Sequence, residues 1–189
     1  MNERRTYTNV VGFDDAPFPY EHRGDVLLVG TVCARTRLDG VVTDRVRRDG
    51  VNATDRMLAS LERSQFAEQI RLVLLQGIAV AGFNVVDVER LHRSFGTPVL
   101  VVARRRPRVE TFRDALLSIP GGARKWSLIE KLGPMEPLRG IFVQRCGLSL
   151  DEADRSLEAT TLHGKLPEAL RLAHLIAGGV TTGKSRGRA

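Results

Sequence analysis

Val10-Val11-Gly12-Phe13-Asp14-Asp15 and, further on, Leu72-Val73-Leu74-Leu75-Gln76-Gly77 decide the fold of this 189-residue chain. Each is an apolar run of strand length that stops abruptly at polar side chains. In an open α/β sheet, side chains at the carboxyl ends of neighbouring parallel strands converge on one crevice. Carboxylates at two such ends can hold a divalent metal ion. Here the first run ends in two acids and the second in an amide.

Outward from these runs, Asp25 to Thr36 reads as a long second strand with the apolar core Val26 to Cys33. Leu38-Asp39-Gly40 carries a turn signal, and Val41 to Arg47 alternates as a half-exposed third strand does. The first three strands predict an antiparallel meander. Asn52 with Asp55 marks a helix start, the amide as cap and the acid in the first turn, with Met57, Leu58, Leu61 and Phe66 as its apolar face. Arg71 to Leu75 is a short strand buried on both faces. Gly77 to Phe83 reads as a loop. Asn84 and Asp87 repeat the start signal for a helix from Val85 to Phe95, which Gly96 ends. Pro98 opens a fifth strand, Val99 to Ala103.

The remainder is more helical. Val109–Ile119 and Ala123–Leu132 read as helices, and Gly140 to Cys146 has the pattern of an added strand. Ser149 with Glu152 forms a capping box for a helix from Leu150 to Ala159, and Pro167 opens a last helix to about Ala177. The order predicts an α/β protein with a mixed five-stranded sheet. A meander feeds right-handed β-α-β units that make strands one, four and five parallel, with extra C-terminal helices. This is the element order of the ribonuclease H-like fold. One domain is expected over residues 1–180, with a basic flexible tail over 181–189.

Composition sets the outer limits. At 42% hydrophobic and 27% charged residues, the chain reads as a globular protein with a full core. No apolar stretch has the length to span a bilayer, and Met1 to Thr6 lacks an apolar signal core, so no membrane association and a cytoplasmic home are expected. Cys33 and Cys146 have no metal-ligand spacing and sit in apolar runs. The net charge of +7 permits a polyanionic partner, provided the basic residues cluster.

Three stretches carry a family resemblance: Val11 to Asp15, Gly77-Ile78-Ala79-Val80-Ala81-Gly82-Phe83-Asn84-Val85-Val86-Asp87, and Leu166-Pro167-Glu168-Ala169-Leu170-Arg171-Leu172-Ala173-His174-Leu175-Ile176-Ala177. They resemble an archaeal family of unknown function that is itself similar to endonuclease V, a magnesium-dependent nuclease cutting near deaminated purines in DNA or RNA. The resemblance implies a ribonuclease H-like fold, a nucleic-acid partner and Mg2+ as cofactor. Asp14 matches that enzyme's first catalytic aspartate, and Gln76 stands where its second would be. Its catalytic glutamate has no counterpart in a matching motif; the nearest acids are Asp44, Asp49 and Asp55. Its histidine precedes a helix like Leu150 to Ala159, where this chain reads Cys146-Gly147-Leu148-Ser149.

On these grounds Asp14, Asp15 and Gln76 are the candidate catalytic residues, with Asp14 and Asp15 as metal ligands. If the first strand continues through both acids they point to opposite faces; if it turns there, both reach one ion. Asp15 also suits a turn-starting role before Ala16-Pro17. Gln76 is either a polar contact in the site or a satisfied strand-end amide. Arg104, Arg105, Arg106 and Arg108 follow the fifth strand, on the edge expected to carry Asp14, where guanidinium groups track phosphates. Phe18 and Tyr20 either stack a base or pack their loop onto the core. Lys165, after His163-Gly164, completes the candidate nucleic-acid-binding set.

Gly178 to Ser185 fits the P-loop pattern letter by letter, yet a helix rather than a strand is expected before it, so nucleotide binding is not expected there. Two functions fit the sequence: a metal-dependent nucleic-acid phosphodiesterase, or a non-catalytic nucleic-acid-binding protein derived from one.

Overall fold

A computed structural model describes residues 5–185. Within them the chain forms β1 (Asn9–Asp15), β2 (Asp25–Ala34), β3 (Arg37–Arg47), α1 (Ala53–Glu62), β4 (Leu72–Gln76), β5 (Ala79–Val80), β6 (Asn84–Val85) and α2 (Val88–Phe95). Then follow β7 (Val99–Ala103), α3 (Val109–Leu117), α4 (Gly122–Leu132), β8 (Glu136–Leu138), β9 (Ile141–Cys146), α5 (Leu150–Thr160) and α6 (Glu168–Thr182). The large sheet has the strand order β3-β2-β1-β4-β7-β9-β8. β1, β4 and β7 are mutually parallel, as the crossover argument requires, and β2, β3 and β9 run antiparallel to their neighbours.

The sheet is thus seven-stranded rather than five-stranded. β9 coincides with the added strand read at Gly140 to Cys146, and the three-residue β8 pairs with it. β3 begins at Arg37, so Leu38-Asp39-Gly40 lies inside the strand; the turn falls at Arg35, which takes φ 55°. Within Gly77 to Phe83 lies β5, which pairs with β6 just beyond it in a two-stranded ribbon.

The helix starts were partly exchanged. Asn84 does not open α2; it is fully buried in β6, and its Oδ1 accepts the first N–H of α1, from Ala53, at 3.0 Å. Its Nδ2 donates to the Arg47 carbonyl and to Asn52 Oδ1, each at 2.8 Å. Asn52 sits at the end of α1 without capping it by its own side chain. α2 starts at Asp87, whose carboxylate accepts from Arg90 N–H, and Gly96 ends it in the left-handed region. Phe66 lies beyond α1, against the core. The capping box of α5 is present as read. α6 runs on to Thr182, which moves the start of the expected tail; residues 186–189 of that tail lie outside the described residues. Gly178 to Thr182 belong to the last turns of α6, so the P-loop pattern begins inside a helix and not after a strand.

Strand alternation in β1 fixes the layers. Val11 and Phe13 pack into the core shared with Met57, Leu61 and Leu91 of α1 and α2. Val10 joins the second core cluster, with Leu157 of α5 and Ala169 and Leu170 of α6. Gly12 lies between Val10 and Asp14 and meets the backbone of α6: a Cβ there would stand 2.7 Å from the Ala169 carbonyl carbon. Thr31 of the neighbouring β2 donates its hydroxyl to the Ala169 carbonyl. Small residues on both sides let α6 lie directly on the sheet, and that contact sets where its side chains fall over the end of β1.

Candidate active site at the carboxyl rim of the sheet

The parallel register aligns the strand ends. Phe13 of β1 pairs with Leu75 of β4, and Gln76 pairs with Val102 of β7. Asp14 and Gln76 are the next residues on adjacent strands. Arg104, Arg105 and Arg106 leave β7 at the same rim, all exposed, and Arg108 is exposed at the start of α3. The acidic tip of β1 and the arginine-rich exit of β7 therefore share one edge. Lys165 is brought to it as well. Its Nζ donates to the Gly140 carbonyl at 3.3 Å, in the turn before β9, and Phe142 of β9 pairs with Ala103, the last residue of β7.

Asp14 is 7% exposed. Its Oδ2 lies 2.8 Å from Nδ1 of His174, on α6, and its Oδ1 accepts the N–H of Asp15 at 3.1 Å. Burial pushes the Asp14 carboxyl up to about 6 and the neighbouring Asp15 charge adds to this, while the His174 contact opposes it. A cation at this carboxylate would offset both unfavourable effects. His174 is not among the candidate site residues read from the sequence. It is one-third exposed and is the side chain the structure adds to the site. Its signal lay in the Ala169-Ala173-Ala177 spacing, a small-residue face that presses α6 onto the sheet and leaves position 174 at that face's margin.

Asp15 takes the first of its two alternatives. β1 continues through it, so its carboxylate leaves the sheet on the face opposite Asp14. Burial raises its carboxyl also, opposed by the backbone N–H of Ala81 beside it. The two acids are not gathered around a single point. Gln76 is half-buried, and its Oε1 is enclosed with no hydrogen-bond partner among the described residues. An orphaned carbonyl oxygen and a buried carboxylate at neighbouring strand ends are costly unless a donor or a cation satisfies them.

The other acids near the helix start have structural partners. Asp44 pairs with Arg63, the C-cap of α1, at 2.9 Å and with Arg56 of α1 at 3.8 Å. Asp55 pairs with Arg90 of α2. Asp49 accepts the Phe83 N–H at 2.9 Å, and its carbonyl accepts from Lys125 of α4 at 2.6 Å, which ties the β5-β6 ribbon to α4. Among the described residues no group of three His, Cys, Asp or Glu side chains is placed to hold a metal ion. The oxygen donors at the rim are Asp14 and the Gln76 amide, with His174 bonded to Asp14. Hard oxygen donors of this kind suit a magnesium ion that keeps most of its waters.

The aromatic loop between β1 and β2 is organised by Arg48, whose guanidinium lies 5.4 Å from the Phe18 ring centre and 5.6 Å from that of Tyr20. Phe18 packs against the core, whereas Tyr20 is 81% exposed. A cavity of about 980 Å3 opens on the same rim, starting at Gly77 and Ala103 and walled by α3 and α4.

A mixed sheet with three parallel strands, a carboxylate at the end of the first and a flanking C-terminal helix define a ribonuclease H-like α/β protein. The chain belongs to the Endonuclease dU family, whose model matches residues 6–181. A UPF0215 protein of Deinococcus radiodurans is 58% identical over 96% of this chain and 93% of its own length, so the likeness extends beyond archaea. A crystal structure of a protein of unknown function from Archaeoglobus fulgidus superposes with a TM-score of 0.87 at 32% identity, covering 93% of this chain and 99% of that one. Endonuclease V of Ciona intestinalis, solved with a 24mer DNA containing an inosine followed by a ribo-adenosine, gives a TM-score of 0.58 at 14% identity over 88% of this chain and 82% of that one. This last likeness is one of fold. No helix among the described residues is long and apolar enough to cross a membrane.

Proposed function

We infer that this protein is a nucleic-acid endonuclease that hydrolyses a phosphodiester with the help of a divalent cation, Mg2+ being the first candidate. The observation that carries the reading is Asp14: a buried carboxylate at the end of the first parallel strand, held by His174, with Gln76 and its orphaned oxygen at the end of the neighbouring strand. When bound, the cation would activate a water and neutralise charge on the phosphate. Asp14 and Gln76 Oε1 are the oxygens that would hold it, and His174 orients the Asp14 carboxylate. Arg104 to Arg106, with Arg108 and Lys165, would position the backbone, and Tyr20 offers an exposed ring for stacking. The family's name points to deoxyuridine in DNA, the product of cytosine deamination, as the damage recognised.

A second reading, a non-catalytic nucleic-acid-binding protein on the same scaffold, is favoured by one observation. The strand-end position neighbouring Asp14 holds an amide, and no group of three His, Cys, Asp or Glu side chains placed to hold a metal ion is found among the described residues. The separating experiment is cleavage of DNA and RNA carrying deoxyuridine or inosine, with Mg2+ or Mn2+, beside an Asp14→Ala control. Metal-dependent cutting lost in the control supports the nuclease. Cutting that survives the substitution rules out the site, and tight binding without cutting at any metal concentration supports the second reading.

A further inference from the structure

We propose that Gln144 is the specificity-determining residue of a base pocket, a fixed hydrogen-bond acceptor that distinguishes a deaminated base from its parent. The pocket is the rim cavity that begins at Gly77, directly after Gln76. The proposal rests on the reading that this protein recognises deaminated nucleic acid, and adds to it which atom does the recognising.

The cavity has the right mouth and walls for an extruded nucleotide. Arg105, Arg106 and Arg108 line its entrance, where a phosphate backbone would lie, and Phe112 and Trp126 line its interior. Its volume of about 980 Å3 is at the upper end of small-ligand sites, ample for a base and its sugar. Enzymes acting on a damaged base read it in such a pocket, by its pairing edge and by stacking on apolar side chains.

Beside the arginines, three polar side chains line this largely apolar wall: Thr111 and Glu130 are exposed, and Gln144 alone is buried. It is 4% exposed. Its Nε2 donates to the Gly133 carbonyl at 2.5 Å. A carbonyl only accepts, so this bond fixes which end of the amide is which. Oε1 is then the free end. It receives no hydrogen bond among the described residues, and it is not one of the enclosed orphan atoms. The exposure left to this side chain is its share of the cavity lining.

A pure acceptor set opposite the ring nitrogen of the pairing edge selects for an N–H at that atom; the parent bases' own donors lie one position away, on their exocyclic amines. Cytosine presents a bare N3, itself an acceptor, whereas uracil carries a hydrogen there. The same change turns adenine N1 into the N1–H of hypoxanthine. Gln144 Oε1 therefore pairs with the deaminated base and meets a lone pair on the parent. A site built to take a hydrogen bond strongly disfavours a ligand that lacks the donor. Thymine also carries this N–H, so Gln144 reports deamination and not the missing methyl group.

Trp126 is the chain's single tryptophan, and it lies in the cavity wall, so its fluorescence reports occupancy without any need for cleavage. Short single-stranded oligonucleotides differing at one position, deoxyuridine, deoxycytidine or N3-methyl-deoxyuridine, are titrated in EDTA. Anisotropy of a labelled strand reports binding at the rim, and Trp126 emission reports entry into the pocket. In the wild type the deoxyuridine strand should change Trp126 emission at a concentration about tenfold below that needed for the other two, the size of one lost hydrogen bond. Gln144→Met should bring deoxyuridine level with deoxycytidine. The N3-methyl strand makes the same comparison on the unaltered protein, independent of how the variant folds.

Equal response to all three strands overturns the proposal. So does a bound strand that leaves Trp126 silent, a result that spares the arginine rim. The free nucleosides complete the separation. If no strand binds but deoxyuridine still outcompetes deoxycytidine at Trp126, the rim reading falls and the pocket stands; if neither responds, both fall.

Discussion

Asp14 and His174 lie 160 positions apart in the chain and meet at 2.8 Å, Oδ2 to Nδ1, at the carboxyl end of β1. The contact fixes one oxygen of a buried carboxylate whose other oxygen accepts the Asp15 N–H. A partner that orients a metal-binding carboxylate is commonly worth about 10–100-fold in affinity or activity. His174→Ala should therefore lower Mg2+-dependent cleavage by a factor in that range, while Asp14→Ala abolishes it. Isothermal titration with Mn2+ should show His174→Ala weakening the ion's binding as well. Unchanged cation affinity in His174→Ala would remove the histidine from the site.

The raised Asp14 carboxyl makes a stability prediction. Its native value of about 6 lies above the 3.8 of an unfolded carboxyl, so folding holds this proton more tightly. That contribution is full below 3.8 and is lost as pH rises through 6. Above that range the native state carries an ionised, desolvated carboxylate. Asp14→Asn, which keeps the shape without the charge, should stabilise the cation-free protein by about 1–3 kcal/mol near pH 8 and have little effect near pH 4. Urea unfolding at the two pH values measures the difference. Added Mg2+ should narrow the gap at the higher pH by stabilising only the wild type.

Gln76→Asp tests what the orphaned amide oxygen is for. A second carboxylate beside Asp14 adds charge where a cation would sit, so Mn2+ affinity should rise by roughly tenfold or more. Without the ion the same substitution sets two buried like charges side by side and should cost about 1–2 kcal/mol of stability. A tenfold gain in affinity is worth about 1.4 kcal/mol at saturating ion, enough to offset most of that cost. Thermal unfolding in EDTA should therefore show the variant below the wild type, and saturating Mn2+ should narrow or close the gap.

What was legible in the sequence follows from the range of the interactions involved. The parallel trio β1, β4 and β7 could be read because strands buried on both faces are continuously apolar, and the shared rim of Asp14 and Arg104 to Arg106 follows from topology alone. The helix caps were less legible because a capping amide need not be local. Asn84 carries a helix-start signal, yet it satisfies the first N–H of α1, 31 residues earlier. His174 was missed for the same reason, since nothing near it in sequence supplies its partner. Asp15 was placed beside Asp14 by adjacency, and the pleat of a continuing strand sends them apart. β8 is too short for a periodic pattern.

The arginine cluster predicts a salt dependence. Arg104, Arg105 and Arg106 are exposed at the rim, so each phosphate they neutralise adds its counterion to the release on binding. Replacing all three with Ser should weaken binding to damaged and undamaged strands alike. It should also reduce the slope of log affinity against log salt by about 2–3. A slope unchanged by the triple substitution would place the phosphate path elsewhere on the surface.

Gly12 connects packing to chemistry, and Gly12→Ala tests the connection. A methyl group at this position would lie 2.7 Å from the Leu170 nitrogen and the Ala169 carbonyl carbon, closer than van der Waals contact permits. Both neighbours are helix backbone and cannot rotate aside as a side chain does, so α6 itself must move off the sheet. Overpacking of this kind costs about 1–3 kcal/mol. His174 travels with the helix, so the Asp14 contact should loosen together with the packing. The variant should remain folded at moderate temperature and lose Mn2+ affinity to about the extent of His174→Ala. Denaturant unfolding and cation titration on the same preparation check both halves. Lost stability with full cation affinity would show that the helix position and the site are independent.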